Sequence, residues 1–164
     1  MIIYYEQVKA LSIGDLKQLI ITSSSKKFVK DIKLIDFLES ERSLIGVYVF
    51  FDLDEKPVYV GKTSSRSILE RVAAHYDLRP LGFMNSFLSS LSGNRMSRIL
   101  PRASDEDLKR AFRMSLDYKL LFIELAHKAQ INTLENILSR EFEPPLNSIR
   151  GKRPYSVADI IEHV

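Results

Sequence analysis

The chain has 164 residues, 45% hydrophobic and 27% charged, with 24 Lys and Arg against 21 Asp and Glu. That suits one folded domain, 1–164, and excludes a disordered chain, while the net charge of +3 permits a polyanionic partner without demanding one. The absence of Cys excludes disulfides, Cys-ligated zinc, iron–sulfur centres and a Cys nucleophile; no apolar run approaches the ~20 residues of a membrane span, and MIIYYEQVKA lacks the features of a signal peptide, so a cytoplasmic protein away from membranes is expected.

The first forty-odd residues, 1–43, read as a helical extension. Ser12 caps a short helix carrying Ile13, Leu16 and Ile20, and a second pattern follows with Phe28, Ile32, Ile35 and Leu38 at helical spacing. At Leu44 the texture changes. Gly46 to Phe51 and Pro57 to Gly61 are rich in β-branched and aromatic residues, and Asp52 to Lys56 between them is turn-like, so a hairpin is predicted. Pairing Phe51 with Lys56 places Tyr48 opposite Tyr59, both on one face. Ser64 or Ser65 then caps a helix running to about Tyr76.

From Asp77 to about Arg102 the signal weakens, with a short helix around Phe87. Ser104 followed by Asp105, Glu106 and Asp107 starts another helix, and Tyr118 to Leu125 is a third strand. Asn132 to Phe142 is a helix stopped by Pro144-Pro145, and Ser156 caps a final one after the basic turn at Arg150 to Pro154. The expected architecture is α+β: a small three-stranded, mainly antiparallel sheet flanked by helices. Its core spans 44–147, and 148–164 forms a basic turn and short helix.

Gly61-Lys62-Thr63, between strand and helix, looks like the end of a phosphate-binding loop. That motif needs a Gly at position 56, which is Lys56, and Pro57 removes a backbone donor, so no nucleotide cofactor is expected.

Gly46-Val47-Tyr48 and Tyr59-Val60-Gly61 resemble the two-part signature of the GIY-YIG nuclease superfamily, with Val for Ile in both halves. Arg71 and His75 follow on the next helix, and the Glu135 helix leads to Pro144-Pro145-Leu146-Asn147, similar to the family's closing Glu…Pro-x-x-Asn element. The Arg/His and Glu/Asn spacings are similar to those of its restriction-endonuclease branch. The resemblance implies a metal-dependent DNA endonuclease, a hydrolase of phosphodiester bonds, using Mg²⁺ with Mn²⁺ as a substitute. It implies Glu135 as the metal ligand and Arg71 as the phosphate clamp, for which a guanidinium fork is suited. Tyr48 then activates water or relays its proton, helped by Lys62 and Arg71 lowering its pKa, with His75 the competing base. Tyr59 supports the site by hydrogen bonding, and Asn147 orients a neighbour or the phosphate.

Each residue also has an ordinary reading. Tyr48 and Tyr59 suit plain strand positions, Arg71 a solvated helix, and His75 a satisfied structural role. Asn132-x-x-Glu135 fits a capping box. The clusters Lys26, Lys27, Lys30 and Lys33, then Arg95, Arg98 and Arg102, then Arg150, Lys152 and Arg153 are either solvated faces or a surface that tracks DNA phosphates. A restriction or foreign-DNA-cutting role would call for a homodimer to cut both strands. The alternatives are a structure-specific or RNA-directed nuclease working with a partner, and a non-catalytic nucleic-acid-binding module of the same fold.

Overall fold

The structure, a computed structural model, describes residues 1–37, 44–78, 85–93 and 104–147. In chain order its elements are β1 (Ile2–Ile3), α1 (Tyr5–Val8), α2 (Ile13–Thr22), β2 (Lys27–Phe28), β3 (Gly46–Phe51), β4 (Pro57–Thr63), α3 (Ile68–His75), α4 (Ser86–Leu91), α5 (Asp105–Ser115), β5 (Lys119–Glu124) and α6 (Lys128–Phe142). Among the described residues, no helix is long and apolar enough to cross a membrane.

Every residue of β3 is buried, which matches its unbroken apolar run: a strand covered on both faces has no need of polar alternation. β3 lies at the centre, antiparallel to β4 on one side and to β5 on the other. Asp52 builds the turn of the β3–β4 hairpin, its carboxylate accepting the main-chain N–H of Asp54 at 3.0 Å and of Lys56 at 2.9 Å. Tyr48 pairs with Gly61 and Phe50 with Tyr59, and the ladder shifts before Phe51 meets Pro57. The expected register, with Tyr48 opposite Tyr59, is therefore corrected by two residues. Pro57 has no N–H for the ladder, and Val58 is accommodated as a bulge. The shared face of Tyr48 and Tyr59 survives, because a two-residue slip preserves side-chain direction.

The expected three-stranded sheet is a mixed five-stranded one, ordered β1-β5-β3-β4 with β2 also on β5. β1 runs parallel to β5 at Ile2 and Ile3, and β2 runs antiparallel to it at Lys27 and Phe28. The N-terminal segment is thus not purely helical. Where a helix was expected from Phe28 onward, the chain makes β2 and short 3₁₀ turns at Val29–Asp31 and Leu34–Phe37. Long-range partners decide this: the N–H groups of Val29 and Lys30 donate to the carbonyls of Tyr118 and Leu116. Leu38 lies outside the described residues, as do the Ser156 helix and all of 148–164.

The sheet separates two apolar layers. Tyr48, Phe50, Tyr59, Leu120 and Phe122 pack with α3, α4 and α5 through Ile68, Phe87, Leu88, Leu108 and Ala111. Val47, Val49, Val60, Leu121 and Ile123 pack with α2 and α6 through Leu16, Ile20, Ile131 and Leu138. Ser12 and Ser104 cap α2 and α5 as expected, accepting the N–H of Asp15 and Asp107. The cap of α3 is Ser67, not Ser64 or Ser65, in a reciprocal box with Glu70. α6 starts a full turn early, after His127, so Glu135 lies well inside it and the Asn132–Glu135 capping box does not form. Glu143 ends it in the left-handed conformation just before Pro144.

Candidate functional site

Tyr48 stands at the middle of β3 with its ring laid over Gly61 of the neighbouring strand. A Cβ on Gly61 would sit 2.4 Å from both Cζ and the hydroxyl oxygen of Tyr48, so only glycine leaves room for the ring. The hydroxyl lies 2.6 Å from His75 Nε2 and accepts Arg71 Nε–H at 3.1 Å. Arg71 and His75 are one turn apart on α3, which aims both at the same point of the sheet. Tyr59 stacks beside Tyr48, ring centroids 6.3 Å apart, and its hydroxyl meets that of Ser86 at 3.1 Å. The main-chain N–H of Phe87 donates to His75 Nδ1 at 3.4 Å. Tyr48, Tyr59, Arg71 and His75 are thus gathered as the sequence suggests, with α4 as an unforeseen support.

The electrostatics differ from expectation. Burial pushes the Tyr48 phenol well above its ordinary range; Tyr59 and Glu135 push the same way, and only Arg71 opposes them. Net lowering by nearby cations is therefore not what this cluster provides. Burial, aided by the charge of Arg71, lowers His75 to about 3. The imidazole has no exposed surface and is neutral near pH 7, which weakens His75 as the competing base.

Lys62 and Glu135 are elsewhere. Gly61 faces the Tyr48 ring, so Lys62, one residue on, projects to the opposite side of the sheet. There it donates to Glu135 Oε2 at 2.8 Å, on the helix that packs against that side. Lys62 is thus a partner of Glu135 and not of Tyr48. Glu135 still acts electrostatically on Tyr48 around β4, in the direction given above.

Asn147 sits at the outer edge of β4. Its Oδ1 accepts the N–H of Val60 at 2.8 Å and its Nδ2 donates to the carbonyl of Val60 at 2.7 Å. Leu146 N–H donates to the carbonyl of Val58 at 3.0 Å, so the chain after α6 runs along the edge strand. Of the two roles expected for Asn147, orienting a neighbour is the one its contacts serve. Here the neighbour is a backbone.

For a divalent metal the donor set is small. Among the described residues no group of three or more His, Asp or Glu converges. Glu135 alone fits Mg²⁺ in the minimal arrangement of one carboxylate completed by phosphate oxygens and water, with Lys62 as its present counter-ion.

Three of the four N-terminal lysines are engaged in ion pairs, while Lys30 and Lys33 stay exposed. Lys26, with only 7% of its side chain exposed, pairs with Glu55 and donates to the carbonyl of Ile21, and its ammonium lies over the Phe51 ring. Lys27 pairs with Asp36 at 2.6 Å and Lys30 with Asp117 at 2.7 Å, while the main-chain N–H of Lys33 donates to Asp36. These contacts fasten the segment to the hairpin turn and to the start of β5. Arg95, Arg98, Arg102, Arg150, Lys152 and Arg153 lie outside the described residues.

Sequence reasoning missed Ser86, the Phe87 N–H and the steric role of Gly61. None leaves a periodic trace, since each matters through a contact made far along the chain. No protein-family model, curated protein or solved structure matches the chain.

Proposed function

We propose that the protein is a metal-dependent endonuclease of the GIY-YIG type that hydrolyses phosphodiester bonds in DNA. The observation that carries the reading is the Tyr48 hydroxyl held between Arg71 Nε and His75 Nε2, over a glycine that must be a glycine. The resemblance of Gly46-Val47-Tyr48, Tyr59-Val60-Gly61, Arg71, Glu135 and Asn147 to the family's ordered elements supports it.

In this reading Arg71 neutralises charge on the scissile phosphate, and Tyr48, as the phenolate after loss of its own proton, takes a proton from the attacking water. The water oxygen bonds to phosphorus as the bond to the 3′-oxygen breaks. Glu135 would hold Mg²⁺, which when bound supplies charge neutralisation at the phosphate. Tyr59, fixed by Ser86, keeps the Tyr48 ring in place, and Asn147 secures the strand that carries Gly61. Cutting foreign DNA as a restriction enzyme, with two copies acting on two strands, is the role we favour within this class.

The test is cleavage of plasmid, branched DNA and RNA with Mg²⁺ or Mn²⁺. Tyr48→Phe and Glu135→Ala are each expected to lose at least about a hundredfold in rate. Discrete plasmid fragments would support restriction, and selective cutting of branches or of RNA would shift the target. Two observations favour a second reading: Glu135 is already neutralised by Lys62, and Tyr48 is buried. A non-catalytic nucleic-acid-binding module would bind DNA in the same experiment and cut nothing with either metal. Full activity in Glu135→Ala would remove the metal assignment.

A further inference from the structure

We propose that His75 serves Tyr48 as a hydrogen-bond donor through Nε2–H, its tautomer fixed by the main-chain N–H of Phe87, and does not accept the phenolic proton. The contact at Nδ1 favours one arrangement of hydrogens. Phe87 N–H donates to Nδ1 at 3.4 Å, and a nitrogen that accepts a hydrogen bond carries no proton. His75 is fully buried, so Nδ1 does not face bulk solvent. Burial and Arg71 keep the ring neutral, with a single proton to place. That proton is on Nε2, 2.6 Å from the Tyr48 oxygen. In the other tautomer, Nδ1–H and Phe87 N–H would point at each other, two buried donors with no acceptor between them.

The Tyr48 oxygen therefore receives two N–H donors, from His75 and from Arg71 Nε, and its own O–H points in a third direction, toward neither nitrogen. The catalytic consequence rests on the nuclease reading. The reacting form is the phenolate, which burial disfavours and the two donors stabilise; its proton is given up to bulk solvent before the step. The phenolate then takes a proton from water as the water oxygen bonds to phosphorus and the 3′-oxygen departs, to be protonated by solvent. His75 keeps the same proton throughout, as a positioning and charge-stabilising group.

Long-range ¹H–¹⁵N correlation on the ¹⁵N-labelled full chain near neutral pH reads the tautomer directly, with the His75 signals assigned by their loss in His75→Gln. The expected pattern is a protonated Nε2 and a bare Nδ1. A proton on Nδ1, an average of both tautomers, or an imidazolium would overturn the proposal. On cleavage, His75→Gln brings an amide N–H to the place of Nε2 and is expected to stay within about tenfold of the native rate, whereas His75→Leu loses about a hundredfold or more. Equal losses in the two variants would overturn the catalytic role. A clear Nε2–H pattern in a chain that cuts no substrate would remove the nuclease reading and leave the hydrogen-bond assignment standing.

Discussion

Gly61 shows how a backbone atom can decide the fate of a ring. Gly61→Ala would bring a methyl to 2.4 Å from Tyr48, whose ring is enclosed by Phe50, Tyr59 and His75. Over-packing of this kind costs roughly 1–3 kcal/mol, so the urea midpoint is expected to fall and the Tyr48–His75 contact to be lost. His75 makes a second prediction, in pH. Its folded pKa of about 3 lies below the ordinary 6.5, so between those values the unfolded chain binds more protons and stability rises with pH. Acidifying from pH 6.5 to 5 therefore removes roughly 2 kcal/mol through this one group. Denaturant curves at the two pH values check it, and His75→Gln is expected to flatten the dependence. None of this is written in the local sequence. Val47, Tyr48 and Gly61 are legible as strand residues, but that the ring of one needs the missing side chain of the other is a cross-strand fact.

The elements whose identity is set by their own residues are the ones the sequence displays. α2 and α5 carry Ser caps and apolar faces, and β3 and β4 carry β-branched and aromatic runs. β1 and β2, two residues each, have no such signature; they exist because β5 offers an edge to pair with. The start of α6 is hidden for a related reason: His127 is a weak cap by type, and the cap-like Asn132 lies inside the helix. The lysine cluster makes the same point, since its partners Glu55 and Asp117 are distant in sequence. Glu55 binds Lys26 and Lys119 together across the hairpin turn. Glu55→Gln leaves two ammonium groups facing each other, one nearly buried. The expected loss is about 1–2 kcal/mol, less than for a fully buried pair because Glu55 is itself partly exposed. A lowered thermal midpoint would show it, together with faster hydrogen exchange in the turn.

Across the whole molecule the sheet acts as a partition. Tyr48, Tyr59, Arg71 and His75 lie on the side of α3 and α4; Lys62 and Glu135 lie on the side of α6. The sequence names these residues as one constellation, yet strand parity divides Gly61 from Lys62, and only β4 lies between the two groups. A carboxylate relieved of its lysine should bind a divalent cation better. Lys62→Met is expected to tighten Mn²⁺ binding about fivefold, the equivalent of roughly 1 kcal/mol from one nearby surface charge. Titration calorimetry of both variants tests this, with Glu135→Ala expected to abolish the heat.

The segment around Asn147 has a consequence for how copies of this chain can meet. β4 closes one end of the sheet, and an uncovered strand there would invite another chain to add to it. Asn147 and Leu146 already occupy the outward groups of Val60 and Val58, so the amide behaves as a counterfeit strand. Two copies assembling to cut both strands of a duplex would have to leave this edge as it is and meet through other surfaces. Asn147→Ala, conversely, should expose a pairing edge as well as loosen β4, and its solutions should aggregate at concentrations where the native chain stays clear.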